Sequence, residues 1–444
     1  MTNRKRILIL GAAGRDFHNF NTVYREREDV EVVAFTATQI LGIEGRTYPP
    51  SLAGPLYPEG IPILPERGLR ALIRKKGIRE VVFSYSDISN DYLMSVASKA
   101  LTAGANFVLL SDRDTFIESK VPVVAVCAVR TGCGKSQTTR FIIDYFRSKG
   151  KRVVAIRHPM PYGDLEKQRV QRYEKIEDLD RHECTIEERE EYRPHIEHGN
   201  VVYAGVDYGD ILKEAEKEAD IIIWDGGNND TSFYKPDLWI TVTDPFRPEA
   251  AKTHHPGQAN FIAADVILIN KVNTALEEDV NIIERLAKEM NPSASVIRAD
   301  SEIIVSEPAK VAGKSVAVVE DGPTLTHGNM AFGAGKVAAE NVKVSRIVDP
   351  RPYAVGMIRE TYEKYPKLGF IVPALGYSGQ QMKDLEETLN RIEADVILSA
   401  TPADLNGLLK LNKPVVNVYY ELKDPYTPSL SARLDEFLEK QGKP

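Results

Sequence analysis

Short apolar runs rich in β-branched residues alternate along this chain with stretches of helical period. That pattern predicts buried parallel strands joined by helices. The first runs are Arg6–Leu10, Val30–Phe35, Glu80–Tyr85 and Asn106–Ser111, with a helix predicted from Asp91 to Ala103. Val121–Val129 is almost continuously apolar and predicts a strand buried on both faces. A glycine turn follows it, then a helix from Gln137 to Ser148 closed by Gly150. Further strands are predicted at Arg152–Ile156, Ala219–Trp224, Leu238–Val242 and Ile267–Asn270. The alternation resumes at Ser315–Val319, Gly369–Val372, Asp395–Leu398 and Pro414–Val418. Residues 41–66, rich in proline and glycine, predict a long loop. Residues 160–200, charged and poor in strand signals, predict helices and loops lying over a site.

Composition narrows the class. At 444 residues, two or three domains are expected, and 43% hydrophobic with 27% charged residues is the balance of a water-soluble globular chain. The apolar run after Met-Thr-Asn-Arg-Lys-Arg is only Ile7–Leu10 before a glycine, which reads as a first strand rather than a targeting segment. No run reaches the ~20 residues needed to cross a bilayer, so no membrane partner is expected. A net charge of −7 offers no general attraction to nucleic acid. Cys127, Cys133 and Cys184 have no paired spacing, which suits a reducing cytoplasm.

The chemistry is concentrated after the central strand, in Arg130-Thr-Gly-Cys-Gly-Lys-Ser136. A strand, a glycine turn, Lys-Ser and a helix together form the context of a phosphate-binding loop. Gly132 and Gly134 let backbone N–H groups curl toward phosphate oxygens, and the helix N-terminus adds partial positive charge. Thr131, Gly132, Cys133, Gly134, Lys135, Ser136 and Gln137 are the expected nucleotide contacts. Lys135 would reach the β- and γ-phosphates, and the Ser136 hydroxyl would ligate magnesium. The first glycine of the usual motif is replaced by Val129, and Arg130 stands where a deviant loop carries a signature lysine. Such a cation often crosses a dimer interface, so a homodimer is expected. Cys133, inside the loop at the helix start, is expected to have an acidified thiol. The fold class is therefore α/β: a Rossmann-like N-terminal domain (1–118), a P-loop NTPase core with a parallel sheet (119–310) and a C-terminal α/β region packed on the core (311–444).

A second strand tip completes the expected nucleotide site. Asp225 ends the apolar run Ala219–Trp224, and Asp225-Gly226-Gly227-Asn228 reads as a metal-holding carboxylate followed by a γ-phosphate sensor. Asn270-Lys271-Val-Asn273 ends the run at 267–270 and resembles the base-reading motif of GTPases, with asparagine in place of its aspartate. An amide offers one donor and one acceptor, which suits adenine, so ATP with Mg2+ is expected. Arg157, His158, Arg247, His254 and His255 cluster after strand ends and are candidates to hold a small anionic phosphorylated substrate. Arg169, Arg172 and Lys252 are weaker members of that set. Asp321–Gly328 is a candidate oxyanion pocket, and Gly333-Ala-Gly335-Lys336 a candidate second phosphate loop.

Taken together, the motifs resemble the cyclic 2,3-diphosphoglycerate synthetase family. The resemblance rests on Ile7–Phe17, Arg130–Ser136, Arg157–Pro161, Trp224–Asp230, His255–Gly257 and Glu320–Gly328, and covers most of the chain. It implies an ATP-dependent ligase that closes an intramolecular phosphoanhydride in 2,3-bisphosphoglycerate. Lys135, Ser136-bound magnesium and Asp225 would then serve ATP, and Arg130, Arg157, His158, Arg247, His254 and His255 would serve catalysis and substrate. The alternatives are a regulatory or metallochaperone-like NTPase and a small-molecule kinase.

Overall fold

The computed structural model describes residues 4–38, 43–227, 229–322, 325, 333–374 and 379–442. Within it the chain packs as two units. One holds Met1–Glu183, Gly199–Arg298 and Tyr426–Pro444, and the other holds Cys184–His198 and Ala299–Pro425.

The first unit carries two large sheets. Its six-stranded sheet runs Thr47–Tyr48, Ile61–Pro65, Val30–Ala37, Lys5–Leu10, Glu80–Phe83 and Asn106–Val108, parallel except for the first pair. The eight-stranded sheet runs Gln171–Tyr173, Val201–Ala204, Val153–Arg157, Ile221–Gly226, Val123–Ala128, Leu238–Thr243, Val266–Ile269 and Ser295–Arg298. Seven of these strands are parallel, and Gln171–Tyr173 joins as an antiparallel edge. Val123–Ala128 sits near the middle with both faces covered, which is why its sequence is apolar without alternation. The helix after it, Lys135–Ser148, buries Ile142, Ile143 and Phe146. The carboxyl ends of Val153–Arg157, Ile221–Gly226 and Val123–Ala128 thus come side by side, the place where open α/β sheets bind ligands. The α/β class is the one observed.

Two segments differ from expectation. Residues 41–66 are not one long loop, for Thr47–Tyr48 and Ile61–Pro65 pair within them. Ile61 and Ile63 face the core while Pro62 faces out, a period of two that the prolines hide. The charged stretch 160–200 also contains a strand, Gln171–Tyr173, whose polar edge position leaves only an alternating pattern. Its helix Ile186–Glu197 belongs to the second unit.

The second unit is another α/β layer. Ser315–Asp321 pairs in parallel with Arg346–Ile347, Ile371–Ala374 and Val396–Ala400, and Val415–Lys423 links that sheet to antiparallel Asp300–Val305. Among the described residues no helix is long and apolar enough to cross a membrane.

Candidate active site

The loop Arg130–Gly134 leaves the central strand and turns into helix Lys135–Ser148 through Gly134 at φ +106°. A side chain at Gly134 would overlap the Asn270 amide and come within 2.6 Å of Gln137 Nε2. Two side chains brace the loop from beneath. Asn270 Nδ2 donates to the Cys133 carbonyl at 2.9 Å, and Lys271 Nζ donates to the Gly132 carbonyl at 2.6 Å. Asn270 is fully buried, so the structure shows it shaping the loop. Asn273 lies exposed on the short turn Val272–Thr274.

Asp225, at the tip of the neighbouring strand, is the electrostatic centre. Its Oδ1 accepts from Lys135 Nζ at 2.8 Å and from Thr139 Oγ1 at 2.8 Å, and its Oδ2 pairs with Arg157. The Asp225 side chain is 0% exposed and that of Arg157 3%. The structure thus brings Lys135 and Asp225 together. Ser136, half-buried, is the second residue of the helix. Gly226 and Gly227 follow Asp225, while Asn228 lies outside the described residues.

The expected cationic patch is neutralised by carboxylates that sequence reasoning passed over. Arg130 Nε donates to Asp87 at 2.5 Å and its Nη1 lies 2.7 Å from His254 Nε2, so Arg130 is engaged within its own chain. Arg247 and Lys271 both face Asp244, at 2.8 and 3.4 Å. Burial works against that carboxylate, yet the two cations outweigh it and hold it at about 2. Arg169 is paired with Asp210, and Arg172 with Glu218. Burial, with Arg130 for His254 and Arg15 for His255, lowers both imidazoles to about 4. Neither histidine brings positive charge at neutral pH. They pair with Ser89 and Ile88 in a two-stranded ladder, and no group of three or more metal-ligating side chains gathers among the described residues.

Cys133 also corrects its expectation. It is buried, and burial pushes its thiol up to about 12, against the acidifying pull of a helix start. The candidate second phosphate loop is filled from inside the second unit: Glu320 Oε1 accepts the Lys336 amide at 2.9 Å, and Gly333 and Gly335 leave room for that carboxylate. Most of the candidate oxyanion pocket, including Thr324, Thr326, His327 and Gly328, lies outside the described residues.

His158 lies beside this centre, at the end of strand Val153–Arg157. Its Nδ1 is 3.3 Å from Asp230 Oδ2. A Cβ at Gly14 would come within 2.5 Å of that nitrogen, and one at Gly227 within 2.8 Å, so two glycines make room for the ring. Phe233, Trp224 and Tyr208 surround it at centroid distances of 5.0, 5.4 and 5.7 Å. Burial, then Arg15, Lys135 and Arg157, holds this imidazole well below its ordinary value. Burial raises Asp230 to about 6 and nearby Asp16 to about 7. Asp16 Oδ1 accepts the Ala13 and Phe17 amides at 2.6 and 2.7 Å. Arg15 crosses to Thr231 with a 2.7 Å bond to its carbonyl. Arg15, Asp16 and Asp230 sit inside the motifs Ile7–Phe17 and Trp224–Asp230. Their acids carry no phosphate-binding signature, so the sequence pattern alone does not single them out.

No protein-family model matches the chain. It is 59% identical over 434 residues, 98% of its length and 97% of the relative's, to the arginine synthetase ArcE of Thermococcus kodakarensis. That relative is named an arginine synthetase, not a cyclic diphosphoglycerate synthetase. Among solved structures, LpxK from Aquifex aeolicus in complex with ATP is similar at 13% identity and a TM-score of 0.44, over 84% of this chain and 98% of that one. A UDP-N-acetylmuramate:L-alanyl-γ-D-glutamyl-meso-diaminopimelate ligase from Neisseria meningitides follows at 13% identity and a TM-score of 0.27, over 67% of this chain and 80% of that one. At such scores the two structures add nothing to the assignment, which rests on the full-length relative. The chain belongs to the family of the arginine synthetase ArcE and is an enzyme of the synthetase, or ligase, class.

Proposed function

We propose that this chain is an ATP-dependent arginine synthetase. The carrying observation is the pairing of Lys135 with Asp225 at a phosphate-loop strand tip, in a chain 59% identical along almost its whole length to ArcE. Arginine differs from the ureido amino acid citrulline by one nitrogen in place of one oxygen. Water opposes that exchange because a ureido oxygen is a poor leaving group. Phosphorylating the oxygen with ATP makes it leave as phosphate when ammonia attacks the carbon.

The residues suit this division of labour. With ATP in the loop, Lys135 moves from Asp225 to the β- and γ-phosphates, and the helix N-terminus stabilises their charge. Arg157 pairs with Asp225 and orients it. Asp225 and Ser136 are hard oxygen donors, the kind magnesium takes together with nucleotide phosphates. When bound, that ion would neutralise charge on the transferring phosphoryl group. The carboxylates Asp87, Asp225, Asp230 and Asp244 offset the cations around the loop, which suits an uncharged or cationic reacting group. Closing an anhydride between two phosphates of 2,3-bisphosphoglycerate needs surplus positive charge instead.

The test incubates the purified chain with ATP and magnesium. The expected result is arginine, ADP and phosphate from citrulline with ammonium. A cyclic product in phosphorus NMR from 2,3-bisphosphoglycerate would replace this reading with the cyclising one. ADP release without any new product would favour a regulatory NTPase.

A further inference from the structure

We propose, resting on the arginine-forming reaction above, that Glu66 binds the α-ammonium group of the amino-acid substrate at the carboxyl edge of the six-stranded sheet. Citrulline carries a ureido group at one end and a zwitterionic α-carbon at the other. The phosphate loop serves the ureido end. A separate anionic anchor has to hold the ammonium end.

Glu66 follows strand Ile61–Pro65, at its carboxyl end. Three hydroxyls converge on its Oε2. Thr36 Oγ1 and Thr38 Oγ1 each donate at 3.1 Å, and the Tyr85 hydroxyl donates as well. Thr36 and Tyr85 are buried beneath it. Hydroxyls fix the direction of a carboxylate but leave its charge whole. Among the described residues no lysine or arginine pairs with Glu66, and its Oε1 accepts no hydrogen bond. A buried tyrosine needs only one acceptor, which a backbone carbonyl would supply. Three neutral donors aimed at one unpaired carboxylate instead prepare it for a cationic ligand. A single carboxylate is a poor cage for a divalent ion, and no group of three or more metal-ligating side chains gathers among the described residues. An ammonium group, with three N–H donors, suits it better. The partly exposed Tyr92 lies close enough that the Glu66 charge, after burial, raises its phenol, and an aromatic ring beside the site also favours a cation.

The sheet order ties this edge to the phosphate loop within the first unit. From Lys5–Leu10 the chain runs outward to Val30–Ala37 and Ile61–Pro65, then returns to Glu80–Phe83 on the other side. Open parallel sheets bind ligands outside the carboxyl ends of strands at such a reversal. The segment after Glu80–Phe83 joins the two ends. Tyr85 touches Glu66, and Asp87 accepts from Arg130 Nε at 2.5 Å and from the Thr131 amide at 3.4 Å. Those two positions are at most about 7 Å apart along the backbone. Six bonds separate the α-nitrogen of citrulline from its ureido carbon, about 7.5 Å when extended. A substrate lying along Tyr85–Asp87 with its ammonium on Glu66 has the length to bring its ureido group to the loop.

The probe pair is citrulline and 5-ureidopentanoate, which keeps the ureido chain and the carboxylate and lacks only the α-amino group. The full-length chain is assayed for ADP release with ATP, magnesium and ammonium. Wild type is expected to prefer citrulline by about 10–100-fold in kcat/KM, the worth of a charge-assisted hydrogen bond. Glu66→Gln is expected to raise the citrulline KM by about 10–100-fold, to leave kcat and the ATP KM within about threefold, and to shrink the preference below about threefold. Thr38→Val, at an exposed position, removes one orienting hydroxyl and is expected to raise the citrulline KM about threefold without affecting 5-ureidopentanoate. An undiminished preference for citrulline in both variants overturns the proposal, as does a loss in kcat at unchanged KM. Equal use of the two compounds by wild type overturns it without any variant. A wild-type chain that makes no arginine from citrulline refutes the proposed function instead, and that outcome is recognised before the pair is compared.

Discussion

Replacing Asp225 with asparagine tests the electrostatic centre directly. The amide keeps the shape and can still accept from Thr139 Oγ1, now at 2.8 Å. It removes the negative charge that Arg157 faces at 3% exposure and Lys135 at 11%. At an effective dielectric near 20, one ion pair at 2.8 Å is worth about 6 kcal/mol of gross attraction, much of it offset by desolvation. Removing one partner leaves the other charge buried and uncompensated, which costs about 3–5 kcal/mol. Arg157→Met alone should cost less, because Lys135 still pairs with Asp225. In the double variant no guanidinium is stranded, so the two changes should be non-additive by about 2–3 kcal/mol. Urea unfolding followed by tryptophan fluorescence reads this locally. Both tryptophans, Trp224 and Trp239, lie in the first unit, and Trp224 adjoins the site. A loss under about 1 kcal/mol in Asp225→Asn, or additive costs in the double variant, would refute the buried-pair reasoning.

Gly134→Ala should weaken ATP binding by at least about 10-fold in calorimetry while the chain stays folded, because the new side chain displaces the Asn270 brace and strains a residue at φ +106°. Cys133, its thiol pushed up to about 12, should resist iodoacetamide in the native chain and react only after unfolding; rapid native labelling by mass spectrometry would contradict its burial. Asp16 is raised by burial to about 7 from its ordinary 3.8, so between those values the folded state keeps a proton that the unfolded chain has lost. Its contribution to stability is therefore complete below pH 3.8 and lost as pH rises to about 7. Asp16→Asn lacks that loss, and its stability relative to wild type should rise between pH 4 and 7.5, by at most about 4 kcal/mol, in urea titrations at each pH.

Much of the architecture could be read along the chain because buried parallel strands need unbroken apolar runs and phosphate loops need glycine at set places. Val123–Ala128, Ile221–Gly226 and Leu238–Thr243 were each visible in that way, and so were Lys135 and Asp225. Ile61–Pro65 and Gln171–Tyr173 were hidden, since an exposed proline and a polar edge strand both break the apolar signal.

The amino-acid order alone determined the fold class and marked the glycine loop and the neighbouring strand tip as the candidate site. Those features depend on backbone geometry and local burial, which nearby residues dictate. Only tertiary packing decided where the charges cancel, Asp87 against Arg130 and Asp244 against Arg247 and Lys271, and which carboxylate faces the His158 imidazole, Asp230. The three carboxylates lie 43, 3 or 27, and 72 positions from these partners. Sequence shows that such charges exist; the dielectric, the distance and the pairing that set their chemistry appear only when the chain is folded.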